Sequence, residues 1–451
     1  MGVFRHKDNK GSDMYNAHVQ RTGTKDTMDP TSSLHDSYQE DYDTIKDYYT
    51  PLDLAPDAAA AYSLRKLRLD YDGPAIRVRR TTDNSEQDIG FNGSGQIDRE
   101  ALADFAQEVV IYTSDFTSGN EDLSEGNGIG TDGETIAGVS DAYKFTLTGG
   151  FNLHDVRVSG AKLSTKYRYQ FDYYIPSTNT LLNRIHLTHT VEGPYFTELD
   201  TWANASVEVE HNVTSFLIRG TNGTTAVYSA DGDVFYLKNI VITELPSLAV
   251  TTWYDQSGNG NDATQATAAN QPKIVNAGAL VTENGKPAID FDGVDDSLNQ
   301  MLADDFYGTK DIYLFAVTKN ASNSETGGIT QKRDAVTDGN FGFGAFSGKY
   351  QIQARDIGTG DAVLNTVNTY NTQQLISANR DASGLNFYLP EVLSISSSVA
   401  DLTSTGASDI GAGSSYGALD GTIQELVIYT SDQSSNRTDI ETNINNYYKI
   451  F

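Results

Sequence analysis

Two clusters of side-chain oxygens occur where the chain turns. The first lies in TTWYDQSGNGNDAT, residues 251–264, where two aromatic residues and a threonine pair run into Asp255, Gln256, Ser257, Asn259, Asn261 and Asp262. Oxygen-rich loops can hold a sugar or Ca²⁺. The same residues also build tight turns, since Asn259-Gly260 suits positive φ angles and Asp255 and Asp262 can accept backbone N–H bonds as Asx caps. The structural turn is the favoured reading and the ligand loop its alternative. The second cluster is DFDGVDD, with Asp290, Asp292, Asp295 and Asp296. Carboxylates are the hard ligands Ca²⁺ takes, although the spacing lacks the periodicity of a calcium loop. Asp292, Asp295 and Asp296 are the candidate metal ligands and a structural Ca²⁺ the candidate ion; no other cofactor is expected.

The elements that must position these groups are almost all strands. KYRYQFDYYI, DVFYLKNIVITEL, DIYLFAVTK and QELVIYTS are short runs rich in Val, Ile, Thr and Tyr, separated by Gly, Asn, Asp and Ser turns. That pattern predicts antiparallel β-sandwiches. Three helices are expected: one capped by Asp57 and carrying Tyr62, Leu64 and Leu67, a second capped by Asp98 with Leu102 and Phe105 on one face, and a third at RTDIETNINNYY. AIRVRR alternates as a strand. QEVVIYTSD at 107–115 nearly repeats QELVIYTSD at 424–432, which reads as two strands of like preference at equivalent places in two sandwiches, or as coincidence.

With 451 residues the chain suits two or three domains. Its 61 Asp and Glu against 32 Lys and Arg give a net charge of -29, which repels polyanions and excludes a basic phosphate-binding stripe, so nucleic acid is not an expected partner. Zero cysteines exclude disulfides, thiolate metal sites and a cysteine nucleophile. The N-terminal residues lack the apolar core of a signal peptide, and no window reaches the ~18 apolar residues of a membrane span, so membrane insertion is not expected. Residues 1–50 are polar and cannot fold alone; they read as a disordered tail or, with Tyr38, Tyr42, Tyr48 and Tyr49 offering contact area to a partner, as an extended arm that orders on it, the reading favoured here.

AYSLRKLRLDYDGPAIRVRRTTDNSEQDIG at 61–90 and TTWYDQSGNGNDATQ resemble the catalytic domain of fungal-type α-L-arabinofuranosidase B, a concanavalin-like sandwich. In that family the two motifs lie close together, whereas here residues 109–246 separate them. The resemblance implies a discontinuous concanavalin-like or laminin-G-like sandwich, 51–108 with 247–451, interrupted by an inserted domain, 109–246. The family hydrolyses arabinofuranosides with two carboxylates. Alignment through FGFGAFSG puts Gly342 at the nucleophile position, and GAGSSYG puts Ser415 at that of the acid. Neither side chain can form a glycosyl ester or protonate a leaving oxygen. Asp409 and Asp420 lie nearby in sequence, but a five-residue shift moves a carboxylate roughly 16 Å along a strand. The resemblance therefore implies the fold without the catalysis.

The inserted segment is similar to carbohydrate-binding-module jelly rolls, in which aromatic rings serve as platforms for the apolar face of a pyranose. Tyr167, Tyr169 and Phe171 alternate on one face and read as core. Tyr195, Trp202 and Tyr174 are the candidate carbohydrate-binding residues, the first two because EGPYFTELDTW has loop character. The combination of motifs also resembles phage and marine viral structural proteins. It implies a non-enzymatic head or tail appendage of a virion, assembled in the host cytoplasm. Its expected partners are other virion proteins through the arm, further copies of itself in a homo-oligomer such as a trimer, and host-surface polysaccharide. An active glycoside hydrolase and a purely architectural cementing protein are the alternatives.

Overall fold

The computed structural model describes residues 49–116, 124–126, 128–148, 155–162, 165–187, 195–211, 213–221, 231–300, 311–321, 327–332, 340–346, 349–356, 360–365, 370–381, 384–388, 392–394, 408–411 and 417–451. The arm, with Tyr38, Tyr42 and Tyr48, lies outside them, as does Ser415. The chain is nearly all β, in large antiparallel sheets. It divides into two compact units, one formed by residues up to Phe105 together with Leu248–Phe451, the other by Ala106–Ser247.

In the discontinuous unit the strands pair into a network that closes on itself. Its hub is Asp420–Tyr429, which is buried from Gly421 onward and pairs antiparallel with Ala58–Ser63, Ile289–Asp292 and Ile312–Asn320. Gly421 is needed at its start, because an added Cβ would lie 2.1 Å from the Lys319 carbonyl oxygen. Ile76–Arg80 pairs with both Glu86–Ile89 and Leu248–Trp253, so the chain segments on the two sides of the insertion are hydrogen-bonded neighbours, Arg80 opposite Leu248. The C-terminal helix Arg437–Tyr448 buries Ile440, Ile444 and Tyr448, one helical face at spacing four, against Phe315, Val427 and Tyr429. Each such side chain contributes about 1.5–3 kcal/mol.

An ion pair locks helix to hub. The Arg65 guanidinium donates to both Glu425 carboxylate oxygens, at 2.8 and 3.0 Å, and to Asn443 Oδ1 at 3.0 Å. Ser63 Oγ and Tyr448 Oη also donate to Glu425. Both charges are buried, so this shared bonding is what offsets their desolvation.

Two of the three expected helices form. Arg99–Phe105 is capped by Asp98, which accepts the Glu100 and Ala101 N–H groups at 3.1 and 3.0 Å, and it buries Leu102. The third spans Arg437–Tyr448. The helix expected after Asp57 does not form: Ala58–Ser63 is a strand, and Asp57 accepts bonds from Ser431 and Gln433. Alanine favours helix intrinsically, but here the run is buried beside the hub and its small side chains admit a neighbouring loop, so tertiary context overrides propensity. No helix among the described residues is long and apolar enough to cross a membrane.

The inserted unit is a two-sheet sandwich. One sheet carries Ala203–His211, Thr165–Tyr174, Val234–Glu244, Val139–Leu147 and Gly128–Ile136 in that order, with Val109–Ser114 beside the end of Val234–Glu244. The other has Tyr195–Phe196, Arg184–Leu187, Ser215–Thr221, Asp155–Ser159 and Ser124–Gly126. Tyr167, Tyr169, Phe171 and Tyr173 all face the core between the sheets, with Phe145, Phe235, Leu237, Ile185 and Phe216. The aromatic alternation thus reports packing.

Candidate functional site

In the Asp255 loop each oxygen-bearing side chain named in the sequence makes a structural hydrogen bond. Asp255 accepts N–H bonds from Ala61 (2.9 Å), Ser257 (2.8 Å) and Asn261 (3.0 Å), and the Ser257 hydroxyl donates to it at 2.7 Å. Asp262 accepts the Asp255 N–H at 2.9 Å. Gln256 is fully buried, accepts the Leu67 N–H and donates to the Ser63 and Arg65 carbonyls. Asn259 and Asn261 donate to Ala58 and Ala59. The loop therefore satisfies the backbone of Ala58–Ser63. The positive φ angles fall on Gly258 (91°) and Gly260 (73°), and not on Asn259.

Asp292, Asp295 and Asp296 do come together, with one carboxylate oxygen of each within 4.8 Å of the others. They sit in the turn after strand Ile289–Asp292, where Asp292 Oδ1 accepts the Val294 N–H and Asp296 Oδ2 accepts the Asp292 N–H. Asp296 is buried while the other two are exposed. Burial, then repulsion from Asp292, pushes the Asp296 carboxyl up to about 7. Asp290, on the preceding strand, is also raised by burial, opposed by Lys273. These oxygens fit a hard cation chemically, and one would relieve their repulsion.

Gly342 lies in strand Asn340–Phe346, opposite Gln331, which is in turn opposite Asp409. Gly342 and Asp409 thus share a sheet face two strand spacings apart, roughly 10 Å. Burial raises the Asp409 carboxyl above its ordinary range. Ser415 cannot be placed beside them, since it lies outside the described residues.

The three aromatic candidates of the inserted unit divide between its two sheets. Tyr174 stands opposite Tyr236, and both point away from the inter-sheet core that Tyr173 and Leu237 enter. Trp202 packs on Tyr174 with ring centroids 5.8 Å apart, and Tyr174 meets Tyr236 edge-on at 6.0 Å. The indole N–H donates to the Ile136 carbonyl at 3.2 Å, which fixes the ring. Trp202 is half-buried, whereas Tyr174 and Tyr236 are buried, so Tyr174 backs the indole and does not itself present an open face. Burial, then the Glu134 charge, raises the Tyr236 hydroxyl.

Tyr195 belongs to the opposite sheet, in a register row with His186 and Arg219. It is 39 % exposed, and the Arg184 guanidinium lies 5.2 Å from its ring centroid. His186 is buried at 5.8 Å from the Tyr195 ring, and burial, then the Arg219 charge, brings its imidazole down to about 4. Sequence reasoning missed Tyr236, Arg184 and His186. The polar-apolar alternation of Arg184-Ile185-His186-Leu187 was the available signal, since Ile185 and Leu187 fill the core.

No protein-family model matches the chain, and no curated protein is significantly similar to it. Solved structures similar to it include an arabinofuranosidase complexed with arabinofuranosyl-α-1,2-xylobiose (14 % identity, TM-score 0.42) and a GH54 α-L-arabinofuranosidase soaked with a cyclic sulfate inhibitor (14 %, TM-score 0.44). Each alignment covers 88 % of this chain and 64 % of that one, so the chain spans less than two thirds of their length. The CBM40 of a Ruminococcus gnavus IT-sialidase bound to α2,3-sialyllactose matches 30 % of this chain and 82 % of its own, at 11 % identity and TM-score 0.26.

Proposed function

We propose that this chain is a non-enzymatic, glycan-binding structural protein of a phage particle, an appendage of head or tail whose inserted sandwich meets host-surface polysaccharide. The observation that carries the binding is Trp202, a half-buried indole held by the Ile136 carbonyl and backed by Tyr174 on the outer face of a sheet. A ring fixed before a sugar arrives loses little entropy on stacking. Individual contacts of this kind are weak, and a homo-oligomeric appendage would multiply them by avidity. The particle role rests on the viral resemblance of the sequence and on the polar arm, residues 1–50, as the attachment to other virion proteins.

The absence of catalysis rests on Gly342 and Ser415 at the aligned acid positions. Without both carboxylates, covalent catalysis and leaving-group protonation are lost together, and acid assistance alone is worth ~10² to 10⁴-fold. The test is paired. Purified chain should show no turnover of 4-nitrophenyl α-L-arabinofuranoside, and its retention on immobilised host glycans should fall with Trp202→Ala. Absence of retention on a broad glycan array would leave only the architectural role.

Asp409 favours the competing reading of an active glycoside hydrolase, because a carboxyl raised by burial on the same sheet face as Gly342 suits a general acid. Turnover abolished by Asp409→Asn would establish that reading in place of ours.

A further inference from the structure

The Tyr195 face of the inserted sandwich has a chemistry unlike the Trp202 face. Its row runs Tyr195, His186 and Arg219 across three strands, and Arg184 stands two residues before His186 on the same side. Ile185 and Leu187 alternate into the core, so Arg184 and His186 point out of the sandwich with Tyr195. Two arginines and an imidazole converging at one place are notable in a chain whose net charge is -29.

His186 supplies an independent observation. It is only 8 % exposed, and its Nδ1 is buried with no hydrogen-bond partner among the described residues. A buried polar atom left unpaired costs about 1–3 kcal/mol, so an unpaired atom in a native fold calls for a functional or solvent partner. Beside it, the Arg184 guanidinium lies over the Tyr195 ring, which holds the donor fork in place while the tyrosine remains exposed.

We propose that Tyr195, His186 and Arg184 form a second glycan subsite, one that selects sugars carrying a fixed anion, carboxylate or sulfate. Arg184 meets the anionic group with paired N–H donors, His186 Nδ1 takes a hydrogen bond from an adjacent hydroxyl or gives one to the anion, and the exposed part of Tyr195 covers the ring of the sugar. Arg219 adds positive potential from the next strand. The net charge of -29 repels polyanions at long range, so anionic glycans need a local concentration of positive charge such as this one. The inference rests on the proposed glycan binding and adds the class of glycan and the residues that choose it.

The full chain is tested by affinity electrophoresis in gels containing polygalacturonate, dextran sulfate or unmodified dextran. Retardation by one or both anionic polymers, at least about tenfold stronger than by dextran, is the expected result, and the polymer that retards identifies carboxylate or sulfate as the recognised group. Arg184→Gln should weaken it about tenfold or more. His186→Phe fills the same space without the unpaired nitrogen, so it should melt at or above the parent temperature and yet bind less. Retention by dextran or other neutral glycans alone, lost with Trp202→Ala, would overturn this subsite while leaving the glycan-binding function standing. Anionic retention that survives both Arg184→Gln and His186→Phe would also overturn it.

Discussion

Residues 107–115 and 424–432 differ at one position in nine, Val109 against Leu426, and both contain antiparallel strands, yet the molecule uses them in opposite ways. In the second copy every residue from Gln424 to Tyr429 is buried, flanked by strands on both sides, and Gln424 donates to the Lys286 and Pro287 carbonyls. In the first, the strand Val109–Ser114 pairs only with Ile240–Glu244 among the described residues, and Val110 is 58 % exposed. The glutamates part in the same way: Glu425 is enclosed with Arg65, while Glu108 holds Arg168 at the surface. The two copies do not occupy equivalent places. Strand preference travels with a nonapeptide; the free energy it contributes depends on what the rest of the chain lays against it.

Glutamate substitutions test that contrast most severely. Glu425→Gln leaves Arg65 buried with a weakened partner and should cost about 3–5 kcal/mol in denaturant unfolding, whereas Glu108→Gln should cost less than about 1 kcal/mol. Similar losses at the two sites would break the comparison. Next in size are the valines. Val427→Ala opens a cavity in a closed core and should cost about 2 kcal/mol, against a change within about 0.5 kcal/mol for Val110→Ala.

A smaller effect extends the contrast to neighbouring aspartates, where Asp296 is buried and Asp295 exposed. With its carboxyl raised to about 7, folded Asp296 keeps a proton that the unfolded chain releases near pH 4, so its contribution to stability is fully present below that pH and lost as pH rises to about 7. Asp296→Asn should flatten the profile of melting temperature across this window and raise it at pH 8, while Asp295→Asn should change it less. Added Ca²⁺ should raise the parent's melting temperature at pH 8 if the three carboxylates bind it, and that gain should vanish in Asp296→Asn.

Much of the strand inventory was legible because alternation is a local property: Thr165–Tyr174, Val234–Glu244 and Asp420–Tyr429 fall where the runs of Val, Ile and Tyr stand. Both helices with a clear apolar face or cap also form where expected. The strand Ala58–Ser63 was not legible, since four alanines carry no sign of the hub they will lie beside. The candidate site was legible in part. Trp202 and Tyr195 were singled out by residue type, but nothing local says that one is backed by Tyr174 and Tyr236 while the other meets Arg184 and His186.

The sequence by itself determined most of the secondary structure and the turn at Asp255, which depend on residues within a few positions of one another, and the net acidity and absence of thiol chemistry, which depend on composition alone. Tertiary structure alone decided burial and company. The Ser63 hydroxyl reaches Glu425 across 362 residues, and the Asp255 carboxylate reaches the Ala61 N–H across 194. Those meetings depend on which sheet edges pair, and the pairing is settled by the burial of the whole set of strands at once, a quantity no short window contains.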